Sequence, residues 1–216
     1  MDLGLAGRVC VVGGADDGIG LATAGLLRDE GAKVLMVGHD AGRLDEAAEG
    51  LGGGEERIAT LPLDPTEPDA GEQMLGAALA WFGDVDALVT TAVVAEEDWR
   101  AAHELSVMAP LRAMRAFGPA LAERGRGRIV NVCAPAAPTP SPAAAASVGA
   151  AAELALSRLF ADHYAGQGVL VNAVRPAADA PPADAARDIV FLCSERASYV
   201  AGAAWPVDAG TAQVTS

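Results

Sequence analysis

Apolar residues along this chain fall into two alternating patterns. Short continuous runs such as Val9-Cys10-Val11-Val12 and Val34-Leu35-Met36-Val37 have the length and β-branching of strands buried on both faces. Longer stretches between them repeat apolar residues at helical spacing. Ile19, Ala22, Leu26 and Leu27 share one face, and Gly31 marks the stop. The pattern predicts strands over 8–12, 33–37, 57–63, 87–91, 127–133 and 169–174, with a last one near 205–207. It predicts helices over 19–30, 41–51, 68–82, 96–123, 143–164 and 183–193. Pro110 falls inside the long fourth helix and is expected to kink or break it. Buried strands separated by amphipathic helices imply an α/β protein, one doubly wound parallel sheet in three α/β/α layers. No repeat or linker divides residues 1–216, so a single domain is expected.

Composition narrows the function classes. The net charge is −14, which makes nucleic acid and anionic membrane surfaces unfavourable partners. The softest stretch, Ala143–Phe160, contains Glu153 and Arg158 and cannot span a bilayer. The first apolar run reaches a glycine-rich turn within a few residues, so no leader peptide is expected. Cys10, Cys133 and Cys193 are scattered through apolar runs, which suits buried thiols in a reducing cytoplasm rather than a disulfide or metal framework. Lys33 is the only lysine, Tyr164 and Tyr199 are the only tyrosines, and His39, His103 and His163 are the only histidines. That scarcity limits which acid–base chemistry the chain can perform.

The first strand runs into Gly13-Gly14-Ala15-Asp16-Asp17-Gly18-Ile19-Gly20, and a helix opens there. Glycines at this junction give a tight turn and bring amides at a helix N-terminus close to a pyrophosphate. The Gly-x-x-x-Gly-Ile-Gly spacing resembles the signature of the short-chain dehydrogenase/reductase family. Leu88-Val89-Thr90-Thr91-Ala92-Val93 resembles the family's Asn-Asn-Ala-Gly strand. Gly127–Val132, Val169–Pro176, Ala197–Gly202 and Val207–Gly210 resemble its later landmarks. The resemblance covers nearly the whole chain. It implies a Rossmann-like fold and an NAD(P)-dependent oxidoreductase ancestry. The family's nucleotide-contacting positions correspond to Gly14, Asp17, Gly18, Ile19, Gly20, His39, Asp64 and Ala92.

The resemblance fails at the catalytic end. The family pairs a tyrosine acid–base group with a lysine one turn later, and adds a serine and an asparagine. Registered on Ile129-Val130-Asn131-Val132 and Leu156-Ser157-Arg158-Leu159, those positions hold Ala146, Ala150, Ala134 and Ser106. The family's substrate lid is also shortened, because only Ala178–Ala183 separate Pro176-Ala177 from the closing helix. His103 and Ser106 lie one turn apart and offer one alternative proton-transfer pair.

Nucleotide binding is expected to be weak or absent. Asp16 and Asp17 place carboxylates near the phosphates, Gly38-His39 replaces the acid that follows the second strand, and Val93 replaces a glycine. Asp17 also reads as a helix N-cap, and Asp40 as a group able to reach a ribose and favour NAD. The resemblance implies subunit contacts through the helices around 99–123 and 143–164, the second rich in alanine. Three readings follow. The first is a catalytically inactive member that self-associates or pairs with an intact paralogue. The second is an NAD(P)-dependent oxidoreductase acting on a carbonyl or alcohol through His103 and Ser106. The third is a nucleotide- or small-molecule-sensing module.

Overall fold

The computed structural model describes residues 2–52, 54, 56–91, 98–133 and 144–210. Seven parallel strands form one sheet in the order β3-β2-β1-β4-β5-β6-β7. They are β1 (Val9–Gly13), β2 (Lys33–Gly38), β3 (Ile58–Pro62), β4 (Ala87–Thr90), β5 (Gly127–Val132), β6 (Val169–Pro176) and β7 (Ala204–Val207). The helices are α1 (Gly18–Asp29), α2 (Ala41–Leu51), α3 (Ala70–Phe82), α4 (Trp99–His103), α5 (Ala109–Glu123), α6 (Ala144–Tyr164) and α7 (Pro182–Cys193). The expected doubly wound sheet is therefore present, with boundaries within a few residues of those read from the pattern.

Strand side chains alternate between two cores. Cys10, Val12, Val34, Met36, Val130 and Val132 face Leu27, Leu44 and Ile189 of α1, α2 and α7. Val11, Leu35, Leu88 and Ile129 face Met74, Phe117 and Phe160 of α3, α5 and α6. Both faces of the sheet are thus sealed, which explains the unbroken apolar runs. The sheet reverses direction of growth between β1 and β4, so the loops at their C-terminal ends diverge and open a crevice.

The long fourth helix is not continuous. Between α4 and α5 lies a π-helical segment, Glu104–Met108, after which the Ala109 amide bonds to the Glu104 carbonyl. Pro110 follows at the start of α5. Proline has no N–H to give the turn before it, and the chain widens there into the π turn. A second proline, Pro119, is accommodated inside α5.

Candidate functional site

The turn after β1 is built by close backbone contact. Gly14 has φ +67°, and a Cβ there would fall 2.3 Å from Thr91 Oγ1. A Cβ at Gly20 would fall 1.9 Å from the Gly14 carbonyl oxygen. Thr91 Oγ1 donates to the Gly13 carbonyl at 2.6 Å, and the Ala15 amide donates to Val37 O at 2.9 Å. These bonds pin the turn to β4 and β2. Gly18 has φ +52° and nothing within 4 Å of a Cβ position, so its outer face is open. The free amides of α1 begin at this glycine, with no acidic side chain in the first turn of the helix.

The turn borders a cleft of about 620 Å³ along the C-terminal ends of the strands. Gly14, Asp17, Gly18, Ile19, Gly20 and His39 all line it. Asp64 does not, although Leu63 and Pro65 on either side do. Its Oδ1 accepts from the Thr66 hydroxyl at 2.7 Å and the Thr66 amide at 2.8 Å. The hydroxyl bond, then the amide bond, holds Asp64 below the usual carboxylate range. Asp64 therefore fixes its own turn. Ala92, Ala134, the Pro135–Pro142 loop, Val93 and the side chain of Ala146 lie outside the described residues.

Both acids of the first turn behave differently from their sequence readings. Asp17 occupies the N-cap position of α1, but its side chain makes no capping bond. It pairs instead with Arg43 of α2. Asp16 turns away from the helix and packs over Gly38, where a Cβ would fall 2.9 Å from its Cγ. The carboxylates thus do not crowd the open face of Gly18. Asp40 is the side chain that caps a helix, accepting from the Arg43 amide at 3.0 Å. That amide bond is the main reason its carboxyl titrates below the ordinary value.

The other half of the cleft is lined by Thr90, Thr91, Leu105, Ala109, Pro110, Ala113 and the stretch around Pro176–Pro182. Among the described residues, two hydroxyls are present in that lining. Thr91 donates to Gly13 O, and Thr90 donates to Asn131 Oδ1. Both protons are committed. Asn131 Nδ2 in turn donates to Ser157 Oγ at 3.0 Å, and Ser157 Oγ donates to the Glu153 carbonyl at 2.8 Å. This buried network ties β4, β5 and α6 together behind the cleft.

The expected substitutes do not assemble. Ser106 is fully buried against Gly149, while His103 is exposed at the end of α4. They do not share a face, so the structure does not form the His103–Ser106 pair. Ala150 is buried within α6. Tyr164 is wedged against Gly118, 2.7 Å from its Cβ position, and Tyr199 is fully exposed in a C-terminal turn. Lys33 starts β2 at the far end of the sheet, with Nζ 5.8 Å from the Phe82 ring centroid. Cys133 follows β5 but is buried, and desolvation first, then Glu153, pushes its thiol well above the ordinary range. A thiol held protonated is a poor nucleophile.

Sequence reasoning missed three features here. Thr91 anchors the turn, Arg43 takes the Asp17 carboxylate, and Glu153 is a buried acid on α6 (1% exposed) beside Cys133. Each depends on residues distant in the chain, and no local motif announces it.

The short chain dehydrogenase family model matches residues 8–187. This chain belongs to the short-chain dehydrogenase/reductase family. One relative is cis-4-hydroxycyclohexanecarboxylate dehydrogenase of Sinomonas cyclohexanicum, 35% identical over 95% of this chain and 96% of its own length. That alignment runs over 242 positions, more than the 216 of this chain, so the relative carries residues with no counterpart here. Another is the (2S)-[(R)-hydroxy(phenyl)methyl]succinyl-CoA dehydrogenase subunit BbsC of Thauera aromatica, 30% identical over 91% of each chain. Among solved structures, the L-sorbose reductase of Gluconobacter frateurii, complexed with NADPH and L-sorbose, superposes with a TM-score of 0.86 at 30% identity. It covers 97% of this chain and 98% of its own. The fold and the oxidoreductase family are therefore settled. Among the described residues no cluster could hold a metal ion, and no helix is long and apolar enough to cross a membrane.

Proposed function

We propose that this short-chain dehydrogenase/reductase binds a nicotinamide dinucleotide in the cleft but, alone, gives its substrate no acid–base assistance, and that it acts as a subunit beside a second copy or an intact relative. The residues present fit the dinucleotide. The open face of Gly18, the free amides of α1 and the orphaned carboxylate oxygen of Asp16 supply sites for phosphates and a ribose. Gly14, Gly20 and Ile19 would hold the pyrophosphate end.

A bound nicotinamide would donate or accept the hydride. The protein's part in the family reaction is to protonate the resulting alkoxide or to deprotonate the alcohol. The observation that carries the reading is that, among the described residues, that half of the cleft offers no free proton donor. Thr90 and Thr91 have both given their protons to the protein, and the rest of its lining among the described residues is apolar. Loss of a positioned acid or base costs roughly 10²–10⁴-fold in rate. Trp99, Val148 and Leu159 are exposed apolar residues on α4 and α6 and would serve a subunit contact. The relative named as a dehydrogenase subunit supports such an assembly.

A second reading is favoured by the relatives named as active dehydrogenases and reductases. In it the chain is a working carbonyl or alcohol oxidoreductase with another proton donor. Steady-state assays separate the two. The purified protein is given NADH or NADPH with a panel of ketones, alone and mixed with an intact family member. The first reading predicts no consumption alone and altered turnover in the mixture. Robust turnover by the isolated protein establishes the second.

A further inference from the structure

Asp16 is an acid in the wrong place for its surroundings. Its side chain is 7% exposed, and Oδ2 has no hydrogen-bond partner. His39 Nδ1 stands 3.3 Å away, at ion-pair distance when the imidazole is protonated, but without the geometry of a hydrogen bond. A buried carboxylate oxygen left in this state costs free energy unless something else bonds to it. The side chain nonetheless lines the cleft between the first turn and the end of β2.

That place has a chemical meaning. In a doubly wound dinucleotide fold, an acidic residue about twenty positions past the first turn bonds the adenosine ribose 2′-hydroxyl, and a cation there accepts a 2′-phosphate. Here β2 ends in Gly38, which has no side chain to offer. A Cβ at Gly38 would fall 2.9 Å from Asp16 Cγ and 3.2 Å from Oδ1, so the missing side chain is what admits the Asp16 carboxylate. Arg43, on neighbouring α2, is held by Asp17.

We propose that Asp16, reaching from the first turn across the bare Cα of Gly38, is the ribose-reading acid of this protein and selects NAD(H) against NADP(H). The acid has moved to the other wall of the same subsite, and position 38 has given up its side chain to make room. Oδ2 accepts a ribose hydroxyl, which satisfies its orphaned lone pairs. A 2′-phosphate in the same place would set like charges together in a partly desolvated site. The inference rests on reading the cleft as a dinucleotide site.

The test is calorimetric titration of NADH and NADPH into four proteins: wild type, Asp16→Asn, Asp16→Ala, and the exchange variant Asp16→Gly/Gly38→Asp. Wild type is expected to bind NADH at least tenfold more tightly than NADPH. Asp16→Asn should gain about tenfold for NADPH, and Asp16→Ala should lose about tenfold for NADH. The exchange variant returns a carboxylate to the subsite from β2 and should restore the preference for NADH. Thermal midpoints of the single variants should stay close to wild type, so that the changes in affinity are read on folded protein. Equal wild-type affinities for the two nucleotides would overturn the inference, as would an Asp16→Ala protein with unchanged preference. If wild type binds neither nucleotide, the reading of the cleft itself fails, and the inference falls with it.

Discussion

Gly20 carries the sharpest structural prediction. It lies in the first turn of α1, where alanine would ordinarily stabilise a helix by about 1 kcal/mol over glycine. Yet a Cβ at Gly20 would sit 1.9 Å from the Gly14 carbonyl oxygen, 2.6 Å from the Gly14 carbonyl carbon and 3.1 Å from Ala15 Cα. All three are backbone atoms and cannot swing aside. The turn would have to move by roughly 1 Å, and it is pinned by Thr91 to Gly13 and by Ala15 to Val37. Overpacking of this kind costs about 1–3 kcal/mol. Subtracting the helix gain, Gly20→Ala should be destabilised by up to about 2 kcal/mol in urea unfolding. NADH affinity should fall as well, because the amides that face the open side of Gly18 shift. Gly76→Ala is the control. Gly76 is exposed within α3, with nothing within 4 Å of its Cβ position, and should gain close to the full helix preference. A Gly20→Ala protein stabilised as much as Gly76→Ala would refute the close-packed turn.

Three further outcomes follow from buried groups. Ser106 Oγ is buried without a hydrogen-bond partner, so Ser106→Ala should be neutral or stabilising by about 1 kcal/mol, and, together with His103→Ala, it should leave any turnover unchanged. Asn131→Ala removes the acceptor of the Thr90 hydroxyl and the donor to Ser157, and should cost about 2–4 kcal/mol in the same assay. Burial pushes the Cys193 thiol up to about 12 against an ordinary value of 9.0. The unfolded chain therefore releases that proton first. The stabilisation is fully present below about pH 9 and is lost as pH rises toward 12. Between pH 7 and pH 10 Cys193 should account for about 1.4 kcal/mol of lost stability, and Cys193→Ala should show a correspondingly shallower alkaline decline.

The sheet was legible because strands sealed on both faces leave unbroken apolar runs, such as Val9–Val12, that few other contexts produce. At the catalytic end the Asn131 strand and the Leu156–Leu159 segment give the sequence a register on either side, but Ala134 and the side chain of Ala146 lie outside the described residues. The direction of a side chain was not legible. Asp16 and Asp17 are adjacent, yet one packs over Gly38 and the other pairs with Arg43. Those partners lie more than twenty residues on, and only the parallel pairing of β1 with β2 brings them near. Pro110 announced a disturbance, but its form, a widened π turn, depended on the Ala109–Glu104 bond. His103 and Ser106 are spaced for one helical face, and that same widened segment defeats the expectation.

The proposed cleft holds the dinucleotide without assisting proton transfer. This is tested most directly by mixing excess protein with limiting NADH and a ketone panel, following nicotinamide fluorescence and absorbance together. The expected result is an immediate change in fluorescence, marking bound NADH, and an absorbance that decays no faster than in buffer. NADH consumed on the seconds scale by the isolated protein, or no fluorescence change at saturating protein, would contradict it.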